Sequence, residues 1–542
     1  MTKLVKNILS GLGLAAYFCS TLWLTVGVPL SFTSPDENAN FTFAQNFVRT
    51  GSLAVHDEVT AQLGDLAHPR STLAIGEYIV PGGFVGLPLL AGLVGKIVGA
   101  YGLLLLTPTL LLLAILAWLA TVKRLSNSRR LAYTSTILLA LQPAVWYYAA
   151  RTMMPNVGFV CWLIFAVWLV ATKPLRRTAS NFLLAGLCLG IAAAFRLSEI
   201  VWIVPAVISV VIVYRKNIKS IWPLGLLVLG FALPLLVNAK LNIDLYRQPW
   251  QTGYTVHEQT ALVQLGKDPD SVDNEQSKSE TSSSIASLGH LLLPFGVHPR
   301  AIIKNVWHFG LALFPWLTVL AIVGLVLALK DKGKWRQLAV GTLVLAVWLG
   351  VLYGSWSFND NPDPTAITLG DSHLRYWLPL FVLATIFAGR ALLVLAGYGN
   401  PAYSDKKSKL LLTASLGCVM ILSMMLVFTG DDGLLRTRQV LLASAVKRDE
   451  VLAATEINSI IVVDRADKFL WPVREVIQPL RSETTYAALP LAVKLAPLYY
   501  LGIPLPDVDL NYLNEHKLGD LGLHIKLVET VGDEALYKIT VK

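Results

Sequence analysis

The chain has 542 residues, of which 54% are hydrophobic and 15% are charged. Many apolar stretches approach the ~20 residues that cross a bilayer, which excludes a soluble domain with one core and indicates a polytopic membrane protein. The net charge of +10 requires no nucleic-acid partner, because the basic residues cluster in short linkers that orient membrane spans.

A helix is predicted immediately after the first apolar segment. Ser34 suits its N-cap, Pro35 its first position and Gly51 its stop. Two adjacent acids, Asp36 and Glu37, stand at its start, and Glu37 occupies the capping-box position three residues after Ser34. In one interpretation the two acids have no role beyond capping the helix and complementing its dipole, which is the commoner role of acids at a helix start. The alternative is a pair of functional carboxylates.

Apolar segments recur as far as residue 428. They are Ile8–Leu30, Ile79–Val98, Tyr101–Val122, Leu131–Ala149, Val157–Ala171, Phe182–Ala194, Ile200–Tyr214, Ile221–Val237, Val306–Leu329, Leu338–Tyr353, Trp377–Leu395 and Leu410–Phe428. The positive-inside rule places every basic linker in the cytoplasm only if residues 79–122 cross the membrane once. We therefore predict that Ile79–Val98 is a membrane-surface or re-entrant helix. The protein then has about eleven spans, a cytoplasmic N-terminus and an extracytoplasmic C-terminus.

Composition changes after residue 428, and this change divides the sequence into two predicted domains. Residues 1–430 form a membrane domain with extracytoplasmic loops at 31–78 and 238–305, and residues 431–542 form a small extracytoplasmic α/β domain. A polar run at 268–287 is predicted to be a mobile loop tip. The predicted elements of the tail are helix Leu434–Ala454, strand Ser459–Asp464, helix Leu489–Ala496 with Pro490 in its first turn, and strands Leu523–Val528 and Ala535–Val541 joined through Gly532. The tail is expected to shape access to the site, with Asp464 as an ordinary strand end.

On this topology one face collects the polar residues that do not orient spans, including four arginines: Arg70, Arg151, Arg196 and Arg375. A guanidinium group can bind phosphate oxygens in a bidentate manner, and a carboxylate near a hydroxyl can act as a general base. Each arginine can instead lie at the membrane interface or pair with an acid, and Glu199 is the candidate partner of Arg196. The sequence has no GxGxxG, P-loop, GxSxG or HExxH motif.

The order of these motifs resembles the C-type membrane glycosyltransferases, above all the protein O-mannosyltransferases and the aminoarabinose transferases of lipid A. The resemblance covers residues 1–430. It rests on the N-terminal span, the acid pair, the His68-Pro69 segment before a surface helix, and the stretches Gln142–Asn156, Asn242–Tyr254 and Leu374–Tyr376 with Pro379. The sequence departs from the family pattern at Asn156, where an acid is usual, and at Arg70, where a second proline is usual.

The resemblance implies a mainly α-helical GT-C fold and inverting transfer of a sugar from a polyprenyl-phosphate donor to a hydroxyl-bearing acceptor, at the extracytoplasmic membrane face. Asp36 carries over as the general base and Glu37 as its neighbour. From guanidinium chemistry, Arg70, Arg151, Arg196 and Arg375 are the candidate donor phosphate ligands, and His68, Tyr254, His373 and Tyr376 are the candidate residues of the substrate loops. A divalent metal ion stays open, with Glu37 as its candidate ligand.

Two alternatives stay open beside this interpretation. One is a polysaccharide ligase that uses a lipid-diphosphate donor on the same fold. The other is a non-enzymatic transporter or flippase of lipid-linked sugars. Transporters place charges at the bilayer midplane and often show inverted repeats, whereas this sequence places its charges at one end of the spans and shows no repeat.

Overall fold

The computed structural model describes residues 3–28, 30–171, 179–214, 220–256, 293–358, 363 and 365–542. The polar run at 268–287 and the basic linkers at 173–177 and 215–219 lie outside this part. The chain forms two compact units. The first comprises Met1–Leu24, Thr107–Val237 and Asp270–Arg436, and the second comprises Thr25–Leu106, Asn238–Pro269 and Thr437–Lys542. The second unit thus combines the tail with residues that the sequence boundary at 430 assigns to the membrane domain.

The first unit is helical. Its helices are Lys3–Leu22, Arg129–Ala140, Pro143–Ala150, Pro155–Ala171, Ala179–Phe195, Ile200–Tyr214, Pro299–Asn305, Pro315–Lys330, Lys334–Gly354, Ser372–Tyr376, Leu378–Leu395 and Asp405–Thr429. Three further helices, Ala100–Ser126, Trp222–Tyr246 and Leu434–Ala454, contain positions at which the chain passes between units.

Glycines allow close helix packing in the first unit. A Cβ at Gly324 would lie 1.8 Å from the carbonyl oxygen of Phe387, and one at Gly230 would lie 2.2 Å from that of Leu183. Small residues permit such close approaches between apolar helices. In a membrane the surrounding lipid is as apolar as the helices, so close packing rather than the hydrophobic effect holds neighbouring helices together.

Five helices of the described residues are long and apolar enough to cross a membrane, or up to seven if each of two bent helix pairs forms one span. The prediction of eleven spans therefore stays a prediction. The segment predicted as one helix from Ile79 is divided: strand β3 covers Tyr78–Pro81 and the helix is Gly86–Val98. Its 13 residues extend only about 20 Å, less than the bilayer core of about 30 Å.

The apolar segment Leu131–Ala149 is also two helices rather than one. The first ends at Ala140 and the second begins at Pro143. Gln142 caps the second helix, because its side-chain oxygen accepts a hydrogen bond from the Ala144 N–H at 3.0 Å. Proline disfavours helical geometry in the residue before it, and Gln142 has extended backbone, so the break falls where Gln142 precedes Pro143.

The helix with the acid pair, Pro35–Thr50, has the predicted bounds; we call it the acid-pair helix. Gly51 stops it in the left-handed region at φ 82° and donates its N–H to Phe47 O at 3.0 Å. Ser34 has the extended backbone of an N-cap, but its side chain makes no capping hydrogen bond within the described residues. The predicted capping box is therefore wrong, although Asp36 and Glu37 in the first turn still complement the helix dipole.

Two sheets lie in the second unit. Strands β1 (Val55–His56), β2 (Thr72–Ile75) and β3 form a small antiparallel sheet in the order β1-β3-β2. The tail sheet has the order β5-β4-β6-β8-β7, in which β4 is parallel to β5 and β6, and β8 is antiparallel to its neighbours. Its strands are β4 (Ile460–Val463), β5 (Glu475–Ile477), β6 (Leu498–Gly502), β7 (Leu523–Val531) and β8 (Glu534–Val541).

Both faces of the tail sheet are buried at its inner strands β4 and β6. One face, including Ile461 and Val463, packs in a core with Phe43 of the acid-pair helix and with Leu73 and Ile79 of the small sheet. The opposite face, including Ile460 and Val462, packs against Leu489 and Ala492. Continuous apolar strands covered on both faces are typical of the parallel part of an α/β sheet.

The predicted tail elements are confirmed except for two bounds: β7 extends to Val531 beyond the predicted end at Val528, and one helix begins earlier than predicted. The helix predicted from Leu489 begins six residues earlier and covers Glu483–Leu495, so Pro490 lies inside it rather than in its first turn. Ser482 occupies its N-cap position with extended backbone, and proline is tolerated within the helix because burial of Leu489 and Ala492 stabilises the packed face.

Candidate functional site

The acid pair lies at the start of a helix that is anchored by buried residues. Glu37 is 3% exposed, and the following Asn38, Ala39 and Phe43 are also buried. Asp36 is half-buried, and its Oδ1 accepts a hydrogen bond of 2.5 Å from the hydroxyl of Ser71. A charge-assisted hydrogen bond of this kind fixes the direction of the carboxylate.

The residue before Ser71 forms an ion pair with the tail. Arg70 donates from Nη2 to Asp467 Oδ1 at 2.6 Å and from Nε to both carboxylate oxygens at 3.2 Å. The backbone N–H of Arg70 donates to Asp467 Oδ2 at 3.1 Å. The Asp467 side chain is fully buried, whereas 37% of the Arg70 side chain is exposed.

Ser71 is held in an unusual backbone conformation. Its φ is 62°, in the left-handed region that residues with a Cβ rarely adopt. Gly82 donates its N–H to Ser71 O at 3.0 Å, and a Cβ on Gly82 would lie 2.7 Å from Ser71 C. A Cβ on Gly253 would in turn lie 2.3 Å from Gly82 C. Three backbone segments therefore meet beside the Asp36 carboxylate.

Two predicted substrate-loop residues lie in the same unit. His68 Nδ1 is 2.9 Å from Pro69 O and 3.1 Å from Thr72 Oγ1, so its ring closes the turn that carries Arg70 and Ser71. Tyr254 is 52% exposed, and its ring lies 5.0 Å from that of Phe84. The structure thus brings Asp36, His68, Arg70 and Tyr254 into one compact unit.

A second carboxyl pair in this unit joins the tail to the chain that precedes β2. Asp57 is buried, and its Oδ2 accepts from Thr60 N at 2.7 Å at the start of helix Glu58–Leu63. Burial, and then the neighbouring Asp57 carboxylate, raise the pKa of Glu475 on β5 to about 8. The Glu475 carboxyl is therefore held protonated by its low-dielectric surroundings at neutral pH.

Arg196, in the first unit, is paired with the predicted acid. Its Nη2 lies 2.7 Å from Glu199 Oε1, and both side chains are buried. Tyr353 donates to the same oxygen at 2.7 Å, and Trp202 donates to Glu199 Oε2. The Arg196 guanidinium stands 4.2 Å from the centre of the Tyr376 ring, which stacks on Tyr353 at 4.6 Å.

Arg375 flanks the same ring, with its guanidinium 5.5 Å from the Tyr376 centre and its Nη1 3.5 Å from Met154 Sδ. Arg151 is buried, 5.9 Å from the ring of Tyr147. His373 is also buried; its Nδ1 lies 2.7 Å from Asp371 Oδ1, and its ring stacks on Phe309 at 5.0 Å. The first unit thus brings together Arg196, Arg375, Tyr376 and His373.

Sequence reasoning missed Ser71 and Asp467. Ser71 adjoins Arg70 and carries a hydroxyl, but nothing in its neighbourhood signals a bond to a helix 35 residues earlier. Asp467 follows the end of β4 by only four residues, a position where α/β sheets place polar contacts, yet its partner lies 397 residues away.

The described residues contain no group of three or more His, Cys, Asp or Glu side chains arranged to hold a metal ion. The role of Glu37 as a metal ligand stays a prediction.

The sequence profile of the dolichyl-phosphate-mannose-protein mannosyltransferase family matches residues 85–237. The crystal structure of ArnT from Cupriavidus metallidurans bound to undecaprenyl phosphate superposes with a TM-score of 0.58 at 11% identity, over 99% of this chain and 98% of that one. The apo structure of the same protein gives 0.54 at 12% identity, over 98% of each chain. The chain has the GT-C glycosyltransferase fold.

A third comparison is to the archaeal oligosaccharyltransferase AglB from Archaeoglobus fulgidus, in complex with an inhibitory peptide and a dolichol-phosphate. Its TM-score is 0.49 at 13% identity, over 90% of this chain and 68% of that one. No curated protein sequence matches this chain significantly. The family match and the apolar helices make the chain a multi-pass membrane protein that resembles mannosyltransferases in sequence and ArnT in fold.

Proposed function

We propose that this protein is an integral membrane glycosyltransferase. It transfers a sugar from a polyprenyl-phosphate donor to a hydroxyl of a protein, lipid or glycan acceptor on the extracytoplasmic face. The family match and the GT-C fold support the reaction class. The structurally similar ArnT was crystallised with undecaprenyl phosphate, which supports the chemistry of the donor.

The observation that carries this proposal is the arrangement of Asp36. Its carboxylate is half-buried on a firmly packed helix and is oriented by the Ser71 hydroxyl. In the proposed step Asp36 removes the proton of the acceptor hydroxyl while that oxygen attacks the anomeric carbon. The bond between the anomeric carbon and the phosphate oxygen breaks, its electron pair leaves with the polyprenyl phosphate, and the anomeric configuration inverts.

The leaving phosphate carries negative charge that positioned cations can stabilise. We assign this role to Arg375, Arg196 and Arg151. Arg196 and Arg375 both stand beside Tyr376, although Arg196 shares its charge with Glu199. Because the Arg70 guanidinium is engaged with the buried Asp467, we assign Arg70 to support the site rather than to bind phosphate.

The test is an incubation of the purified protein with a panel of polyprenyl-phosphate sugars and candidate acceptors, with release of polyprenyl phosphate as the readout. We expect one sugar donor to be consumed, with lipid monophosphate as the product. Consumption of lipid-diphosphate donors only would favour the polysaccharide ligase. Movement of labelled lipid across vesicles without any cleavage would favour the transporter, and either result would contradict the proposal.

A further inference from the structure

A continuous chain of contacts connects the tail to the Asp36 carboxylate. The fully buried Asp467 accepts from the side chain and the backbone N–H of Arg70. The next residue, Ser71, donates to Asp36 Oδ1 at 2.5 Å. The path therefore needs one peptide bond and two hydrogen-bonded contacts to link residue 467 with residue 36.

The same tail segment holds the acid-pair helix directly. Asn38, two residues after Asp36, donates from Nδ2 to Trp471 O at 3.0 Å, and this bond is buried. The Phe43 ring lies 5.8 Å from that of Trp471 in the same core. Residues 467–471 thus contact both sides of the Ser71–Asp36 hydrogen bond: the turn that supplies the donor and the helix that supplies the acceptor.

The conformation of Ser71 requires such support. A non-glycine residue at φ 62° has a backbone cost, and it persists only where its surroundings determine it. Gly82 fixes the carbonyl side of Ser71 through a hydrogen bond of 3.0 Å, and Asp467 fixes the preceding amide at 3.1 Å. The hydroxyl is consequently aimed at Asp36 by contacts on each side of it.

We propose that Asp467 is a positioning residue for the glycosyl transfer: it orients the Asp36 carboxylate through Arg70 and Ser71. This inference rests on the proposed function, in which Asp36 is the base. The tail then orients the base during turnover, whereas the bond-making steps belong to residues of the predicted membrane domain. Displacement of a base by about 1 Å can cost about 100-fold in rate, so loss of this support should reduce kcat and leave donor KM nearly unchanged.

The first experiment compares the kinetics of purified variants. Asp467→Asn keeps the shape of the side chain and removes its charge; we expect kcat to fall about 10- to 100-fold. Asp467→Glu should recover part of the rate. The matched control is Asp464→Asn, three residues earlier, where the carboxylate accepts from Tyr500 at 3.2 Å and does not contact Arg70. This control should retain at least half of the wild-type kcat.

A double-variant comparison tests the path itself. If Asp467 acts through Ser71, adding Asp467→Asn to Ser71→Ala should reduce kcat by less than twofold beyond Ser71→Ala alone, because the link is already broken. Losses that multiply would show that the two residues act separately and would overturn the proposal. Unchanged kcat in a folded Asp467→Asn protein would overturn it as well.

Hydrogen exchange followed by mass spectrometry supplies a readout that does not require turnover. Asp467→Asn should accelerate exchange about tenfold in peptides that cover residues 69–72, whereas Asp464→Asn should leave it unchanged. Lower kcat without faster exchange would contradict the positioning path. Faster exchange together with full activity of Asp36→Asn would instead contradict the assignment of the base, so the two failures are distinguishable.

Discussion

Arg70 and Asp467 are separated by 397 positions in the sequence, and their side chains meet at 2.6 Å in the second unit. One member is exposed by about a third and the other is fully buried. A buried carboxylate requires a partner, and removal of one member of such a pair is costly. This pair therefore ties the fold of the tail to the turn that precedes β2.

Gly82 provides a steric test of the turn around Ser71. Gly82→Ala should lower activity at least tenfold, because its Cβ would lie 2.7 Å from Ser71 C and force that backbone to move. The matched control is Gly83→Ala, whose Cβ would meet only the Tyr254 side chain, at 3.7 Å. Donor cleavage rates of the two purified proteins provide the comparison, and equal rates would show that Ser71 tolerates the displacement.

The carboxyl of Glu475 gives the stability of the protein a defined pH dependence. Its folded pKa of about 8 lies above the ordinary value of 4.5, so the folded state holds a proton that the unfolded chain has lost. Unfolding free energy should therefore fall as the pH rises from about 4.5 to about 8, by up to about 1.4 kcal/mol per pH unit from this group. The thermal midpoint of Glu475→Gln, measured in detergent, should therefore change less between about pH 4.5 and about pH 8 than that of the wild-type protein.

Glu456→Gln is the control for that measurement. Hydrogen bonding, first from Tyr499, lowers the pKa of Glu456 to about 2, so its contribution is present above about pH 4.5 and is lost as the pH falls towards 2. This control should lower the thermal midpoint by a similar amount at every pH between about 5 and 8. A wild-type slope in Glu475→Gln would contradict the assignment of the pH effect to Glu475.

Local sequence signals predicted the helices and strands better than they predicted the contacts between residues far apart in the sequence. The acid-pair helix and helix Leu434–Ala454 have the predicted bounds, because caps, proline, glycine and apolar spacing are all local features. The start of helix Glu483–Leu495 was predicted six residues too late, since Pro490 gave a start signal that tertiary packing overrides. The hydrogen bonds of Ser71 and the Arg70–Asp467 pair depend on long-range chain packing and have no periodic pattern in the sequence. The Arg196–Glu199 pair was foreseen because its members are three residues apart.

The buried Arg196–Glu199 pair predicts a strong stability effect. Glu199→Gln leaves the buried guanidinium without its charged partner and should destabilise the protein by about 3–5 kcal/mol. Tyr353→Phe, which removes one hydrogen bond to the same carboxylate, should cost only about 1 kcal/mol. Thermal midpoints in detergent measure both changes. The double variant Arg196→Met/Glu199→Gln should recover part of the loss, and equal instability of the double variant would argue against charge as the cause.

The single-crossing topology of residues 79–122 has its own test. Cysteines introduced at Ser52 and Ser282 should react with a membrane-impermeant thiol reagent added outside intact cells, and one at Ser126 should not. The 13-residue length of Gly86–Val98 is consistent with this expectation because it is too short to span. Labelling of Ser126→Cys from outside would reverse the orientation of every later basic linker and separate the polar loops from a common face.

The proposed mechanism depends on Asp36 as the base of glycosyl transfer. The most direct measurement is the single-turnover rate of Asp36→Asn with its sugar donor and acceptor, beside the wild-type protein and Asp464→Asn as a folded control. Loss of a general base should reduce this rate by about 10²- to 10⁴-fold while donor binding persists. We expect that loss for Asp36→Asn and a near wild-type rate for Asp464→Asn. A correctly folded Asp36→Asn protein that transfers sugar at the wild-type rate would contradict the proposed mechanism.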